Sequence, residues 1–325
     1  MVRTGAHGYL KYDFETSYAS GGTANKKFGL QDRLTSLSLT NNRINLPSLN
    51  QNTLHSFAYG QQQGTASVSF VLSNPWVFGA ILGEPSTTGS SPYVHVYPHA
   101  SNGLNKTPRT IVTEVGFDGA SADVVRTLKG GLMNSLSLST SVGGLVECTA
   151  DITYGKETAP STTLGTAPTA PSQEFPYTFA HAELTFGGNV VAQCQDASIS
   201  LSQNSELLYG LNSHHAVDSY RRVLDITGSF KASFINKTLL EEVLEQVKAG
   251  TSSGTYSETV GGSPEFQFTF IKDNTNEKIV ITGSGLSISD LGITGFEPVE
   301  PIFEEINWQM KTVTVTATNT TSAEE

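Results

Sequence analysis

The stretch TSLSLTN, Thr35 to Asn41, reads as one half-buried β-strand: Leu37 and Leu39 fall on one face, and Ser36, Ser38 and Thr40 on the other. The chain writes this strand four times. NSLSLST stands at Asn134 to Thr140, ASISLSQ at Ala197 to Gln203 and SGLSISD at Ser284 to Asp290. In these copies Ser135, Ser137, Ser139, Ser198, Ser200, Ser202, Ser287 and Ser289 take the polar positions. One face of each strand joins a core, while the other meets water or a polar partner.

What surrounds these strands repeats too, the mark of an internally duplicated chain. LTSLSLTNN leads through a long polar loop, Asn42 to Gln62, into GTASVSF, Gly64 to Phe70. ASISLSQNS leads through Asn204 to Arg222 into GSFKASF, Gly228 to Phe234. A helix is expected after each. The first is NPWVFGAIL, with Asn74 as its cap and Pro75 at the first helical position. The second is KTLLEEVLEQVKAG, where Thr238 and Glu241 form a capping box, Leu239, Leu240, Val243, Leu244 and Val247 share a face, and Gly250 ends the helix.

Further strands close each half: VVRTLKGGLMNSLSLST and LVECTADITYG in the first, KIVITGSGLSISDLG and IFEEINWQMKTVTVTAT in the second. Matched in this way, Leu37 and Leu136 of the first half correspond to Ile199 and Leu286 of the second. Between them ETAPSTTLGTAPTAPSQ, Glu157 to Gln173, is rich in Pro, Ala and Thr and aperiodic, the composition of an extended linker. The expected organisation is a first β domain over residues 1–156, a linker over 157–175, a second β domain over 176–318 and a flexible tail over 319–325.

Of the 325 residues, 37% are hydrophobic and only 15% charged, which suits turn-rich β folds better than helical bundles. Thirty acidic against nineteen basic residues give a net charge of −11. A surface of that sign repels phosphate backbones and argues against tight nucleic-acid binding. No segment has the length and apolarity of a membrane-spanning helix, and the start MVRTGAHGYLKYDF has no apolar leader core, so a soluble chain made in the cytoplasm is expected. Cys148 and Cys194 lie far apart without metal-type spacing and read as two separate thiols.

Catalytic patterns are weak. GTSSG, Gly250 to Gly254, fits Gly-x-Ser-x-Gly but follows a helix within a Ser/Gly loop, whereas a nucleophile elbow needs a strand before it. His95, His99, His214 and His215 lack a second cluster at ligand spacing. Glu297, Glu300, Glu304 and Glu305 are interrupted by two prolines and read as a solvated loop rather than a calcium or glycosidase site. No enzyme, cofactor, metal or small-molecule substrate is expected.

The segment GNVVAQCQDASISLSQNSELLYGLNSHHAVDSYRRVLDITGSFKASFINKTLLEEVLEQ, Gly188 to Gln246, and its weaker echo from Leu34 to Leu82 resemble the major tail tube proteins of tailed viruses. The resemblance implies a mainly β chain of two tandem, duplicated tail-tube-type sandwich or partial-barrel domains, each with one short α-helix, that join neighbours into a ring-shaped β-barrel. It implies a structural virion protein of the tail, assembled in the host cytoplasm, whose rings stack into the conduit for viral double-stranded DNA. With two domains per chain, a homotrimer of pseudo-sixfold symmetry is expected, with other tail proteins as further partners. Leu46, Leu49, Phe57 and Tyr59 in the first long loop, with Leu207, Leu208, Tyr209, Leu211, Arg221 and Arg222 in the second, are then candidates for contacts between subunits or rings. The serines and Thr40 of the four related strands are candidates for the lumen. A tandem β-sandwich binding or adhesion module, or the tube of a non-viral injection system, is the alternative reading.

Overall fold

The computed structural model describes residues 8–47, 54–98, 109–118, 122–158, 160–161, 164–165, 168, 175–233, 264–272, 277–295 and 301–321. The first half contributes β1 (Gly8–Phe14), β2 (Leu30–Pro47), β3 (Leu54–Val71), α1 (Phe78–Leu82), β4 (Ser86–Gly89), β5 (Tyr93–Pro98), β6 (Ile111–Phe117), β7 (Val124–Ser141), β8 (Glu147–Tyr154) and β9 (Lys156–Glu157). The second contributes β10 (Ala182–Phe186), β11 (Asn189–Val190), β12 (Cys194–Ser202), β13 (Glu206–Tyr209), β14 (Ala216–Tyr220), β15 (Asp225–Ser233), β16 (Phe266–Ile271), β17 (Lys278–Ser284), β18 (Ser287–Thr294), β19 (Phe303–Met310) and β20 (Thr312–Asn319).

These strands form two large antiparallel sheets, neither closed into a barrel. The main path of the first runs β18-β19-β15-β12-β7-β8-β3-β2, with β1 and β6 joined to it through β7. The second runs β11-β10-β16-β17-β20-β5-β4. Alternation decides the first sheet, since every second residue of β12 and of β7 from Leu136 to Thr140 is buried. Its apolar face packs on the second sheet: Phe230 of β15 meets Phe186 of β10 at 5.0 Å between ring centres, and Trp308 of β19 meets Phe266 of β16 at 4.5 Å. Phe28 bridges Tyr12 of β1 and Phe70 of β3 in the first half.

Several expectations change in detail. The two long loops are not structureless. The first is the far end of a single β2–β3 hairpin whose pairing is followed from Leu30↔Val71 out to Pro47↔Leu54, and the second contains the short β13–β14 hairpin. The helix in NPWVFGAIL starts later than its capping residues suggest: Asn74 Oδ1 accepts from the Trp76 amide at 3.2 Å and so closes a turn ahead of α1. The KTLLEEVLEQVKAG helix, GTSSG, His99, Glu297 and Glu300 lie outside the described residues. Glu304 and Glu305 belong to β19, with Glu304 buried, rather than to a solvated loop. His95 is fully buried, its Nδ1 2.8 Å from Thr87 Oγ1 and its Nε2 3.0 Å from Asn319 Oδ1. Asn319 ends β20, one residue past the boundary expected for the tail. Cys148 and Cys194 are both free thiols, Cys148 buried and Cys194 half-buried.

The halves are joined in both sheets. β12 pairs with β7 from Asp196↔Ser141 to Ser202↔Ser135, and β20 pairs with β5 from Thr314↔Pro98 to Asn319↔Tyr93. The Pro/Thr-rich segment begins as an ordered tie: Arg126 of β7 grips Glu157 of β9 through Nε and Nη2 at 2.6 and 2.7 Å, a bidentate charged pair.

Candidate functional site

Strand register places the serines singled out by sequence in rows that cross the whole first sheet. Ser200 stands between Ser137 of β7 and Thr227 of β15. The row continues through Thr149, Ser69 and Arg33 on one side and through Gln309 and Ser287 on the other. A second row carries Ser36, Ser67, Asp151, Ser135, Ser202 and Asp225. Cross-strand hydrogen bonds knit this face: Ser137 and Ser200 hydroxyls lie 3.1 Å apart, Ser198 and Ser229 hydroxyls 2.9 Å apart, and Ser135 donates to Asp151 at 2.7 Å. One residue along each strand the face is the core, with Trp308, Gly228, Ile199, Leu138, Cys148 and Phe70 in one row.

The polar face is acidic. Glu147, Asp151, Asp196, Asp225, Asp290 and Glu305 share it, against Arg33 and Lys231 among the paired residues. Burial raises the pKa of Asp196, Lys231 opposes the rise and Glu305 adds to it. Ser289 departs from the pattern, since it is the extra residue of a β-bulge between Ile288 and Asp290.

The main path of this sheet ends on two strands with one unpaired side among the described residues, β2 and β18. Thr40 and Thr294 are exposed on them. Leu39, on the core-facing side of β2, is 38% exposed, whereas Ile199 of β12 is 1% exposed.

Beyond the sheet the β2–β3 hairpin continues as an arm. Leu46, Phe57 and Tyr59 are exposed on it beside Ile44 and Leu54, and the Arg43 guanidinium lies 4.4 Å over the Phe57 ring. Leu49 lies outside the described residues. The residues of the second loop are placed differently. The β13–β14 hairpin folds against the base of the arm, where the Gln62 amide donates to the His214 carbonyl at 2.7 Å and Tyr209 donates to the Gln62 carbonyl at 2.9 Å. Arg221 donates to the carbonyls of Ala80 and Arg109, each at 3.0 Å, and to Gln203, while Arg222 pairs with Glu206. Leu207 is half-buried; Leu208 and Leu211 face solvent.

Sequence reasoning missed Gln62 and Gln203, the partners that hold the second hairpin: Gln62 acts through its backbone amide and carbonyl, which residue type does not signal, and a single glutamine after a strand, as at Gln203, carries no periodic signal. Among the described residues no group of three or more His, Cys, Asp or Glu side chains is placed to hold a metal ion.

A mainly β chain with a polar face continuous over two halves, an exposed arm and open strand edges presents surfaces suited to association. A family model described as phage tail tube protein matches residues 5–310. The chain belongs to that family. No curated protein matches it in sequence. As a tail tube protein its role is structural: it assembles with copies of itself and with other tail proteins in the tail of the virion. The features that serve a tail tube protein are then its surfaces: the polar face, the arm and the two open edges.

Proposed function

We propose that this tail tube protein carries two copies of one tube-forming unit, that three chains make a ring of six units, and that stacked rings form the conduit for viral double-stranded DNA during ejection. The observation that carries this reading is strand order. The path β18-β19-β15-β12 from the second half is followed by β7-β8-β3-β2 from the first. In chain order within its half, each set reads third, last, second, first of the four strands. The units thus follow head to tail, and the β12–β7 pairing is a junction between units made inside one chain. Repeating that junction between chains extends the sheet around a ring and removes its edges.

In this ring the Ser/Thr face lines the channel. Its hydroxyls bond to one another across strands, so it offers passing DNA a wetted surface without apolar patches. Its excess of carboxylates repels phosphates instead of holding them. The arm, with Ile44, Leu46, Phe57 and Tyr59 exposed, buries its apolar groups on a neighbouring ring.

Electron microscopy of the purified, concentrated protein tests the reading. Averaged images are expected to show stacked rings with a central channel and threefold symmetry that looks nearly sixfold. Dispersed monomers at high concentration across salt conditions would transfer the assignment to a tandem β-sandwich binding module.

A further inference from the structure

Resting on the ring reading, we propose that β2 of one copy pairs antiparallel with β18 of the next, in the register already present at the β12–β7 junction, so that Thr40 of one chain stands opposite Thr294 of its neighbour. The occupant of each open edge is a second copy of this chain.

The register follows from two landmarks. Gly64 of β3 is opposite Tyr154 of β8, and Gly228 of β15 is opposite Trp308 of β19. In both pairs the ring covers the glycine so closely that an added Cβ would overlap it. Superposing the glycines puts Leu39, which faces Gly64, in the place of Ile199, which faces Gly228. Thr40 then takes the place of Ser200. Superposing Tyr154 on Trp308 puts Thr149 in the place of Phe303, and their partners Ser137 and Thr294 correspond in turn. At the internal junction Ser200 faces Ser137. Between chains the same junction places Thr40 against Thr294, Asn41 against Ile293 and Asn42 against Gly292.

Side-chain parity agrees with this register. Thr40, Gly292 and Thr294 fall on the polar face, while Leu39, Asn41 and Ile293 fall on the core side. A slip by one residue would turn Ile293 against polar-face positions, an outcome that period-two pairing penalises. Exposure points the same way: Leu39 is 38% exposed where Ile199, its counterpart at a completed junction, is 1% exposed. An exposed strand edge beside a half-covered leucine is what a further strand of the same sheet would complete.

The test is a Thr40→Cys, Thr294→Cys double variant in a Cys194→Ser background, assembled, oxidised and run on a non-reducing gel. The expected result is conversion of monomer into a closed three-chain species, with loss of that species in each single-cysteine variant. Rings visible by microscopy without this cross-link, and with one formed instead by a pair shifted along either strand, would overturn the register while leaving the ring. Absence of rings in the wild-type protein would overturn both. Should the double variant fail to fold, hydrogen exchange on wild-type protein decides: assembly is expected to abolish exchange in peptides covering 37–42 and 292–294 over the labelling time. Unchanged exchange there in assembled rings would overturn the proposal.

Discussion

Gly64 and Tyr154 face each other across β3 and β8, and Gly228 and Trp308 do the same across β15 and β19, each aromatic ring lying over the bare backbone of its glycine. The absence of a side chain is what admits the ring, a recurrent way of covering a strand glycine. The Tyr154 hydroxyl lies 3.0 Å from the Ser38 carbonyl, so this contact also reaches the edge strand β2. Replacing either glycine by alanine forces the ring out of a packed core. Gly64→Ala and Gly228→Ala are each expected to destabilise the fold by about 1–3 kcal/mol, measured by chemical denaturation. An alanine at either position without measurable cost would mean that the ring moves freely and that the pairing is not a structural landmark.

These two pairs also mark where the sequence was legible and where it was not. Alternating Ser and Leu located β2, β7 and β12, because a strand with one buried face must alternate; the fourth copy reaches only the first part of β18, where a bulge at Ser289 interrupts the alternation. The match of the first strand to the third was two residues off: sequence similarity sets Leu37 beside Ile199, whereas pairing to the glycines sets Leu39 there. Alternation repeats every two residues and cannot distinguish such a shift, while a glycine under an aromatic ring can. The β12–β7 junction was not legible for the same reason, since Ser/Leu alternation fits each of the related strands as a partner. The arm was read as a loop because Asn42 to Gln62 has few consecutive apolar residues; its strands are held by each other rather than by a core.

Glu15 gives a pH signature. Its side chain is buried between β1 and the bend of β7, accepting from the Gly130 amide at 2.9 Å and the Ala19 amide at 3.0 Å. Burial raises its pKa above the ordinary 4.5, and the amides only partly offset the rise. The folded chain therefore holds this proton more tightly than the unfolded chain. The contribution is fully present below the ordinary value and is lost as pH climbs through the folded-state value. Glu15→Gln removes the titration and exchanges it for a fixed cost at the Ala19 amide. The melting temperature of the variant minus that of wild type is expected to rise as pH increases from about 4 towards neutrality. Parallel curves over that range would show that Glu15 ionises as an ordinary carboxylate.

The arm separates folding from assembly. Arg43 and Tyr59 are paired across it, so deletion of Ile44 to Ala58 with an Asn-Gly closure leaves a regular two-residue hairpin. Ile44, Leu46, Leu54 and Phe57 are each at least 44% exposed, and their removal takes nothing from the core. The shortened protein is expected to melt close to wild type and to form rings that fail to stack into tubes, as judged by calorimetry and by electron microscopy. Tubes of wild-type length from the armless protein would assign stacking to another surface.

The acidity of the polar face gives the most direct test of its place in the tube. Glu147 and Asp225 are exposed on it, and among the described residues no ion pair holds either. Glu147→Lys with Asp225→Lys exchanges carboxylates for ammonium groups on the two halves without touching the core row beneath. If this face lines the channel, tubes of the double variant retain duplex DNA fragments at low salt, whereas wild-type tubes release them. Retention should weaken with salt, with a log–log slope of roughly −0.9 for each phosphate neutralised. In virions built from the variant, ejection is expected to slow, and added salt should restore it by screening the new attraction. Variant tubes as indifferent to DNA as wild type, with ring structure intact, would place the serine face away from the channel.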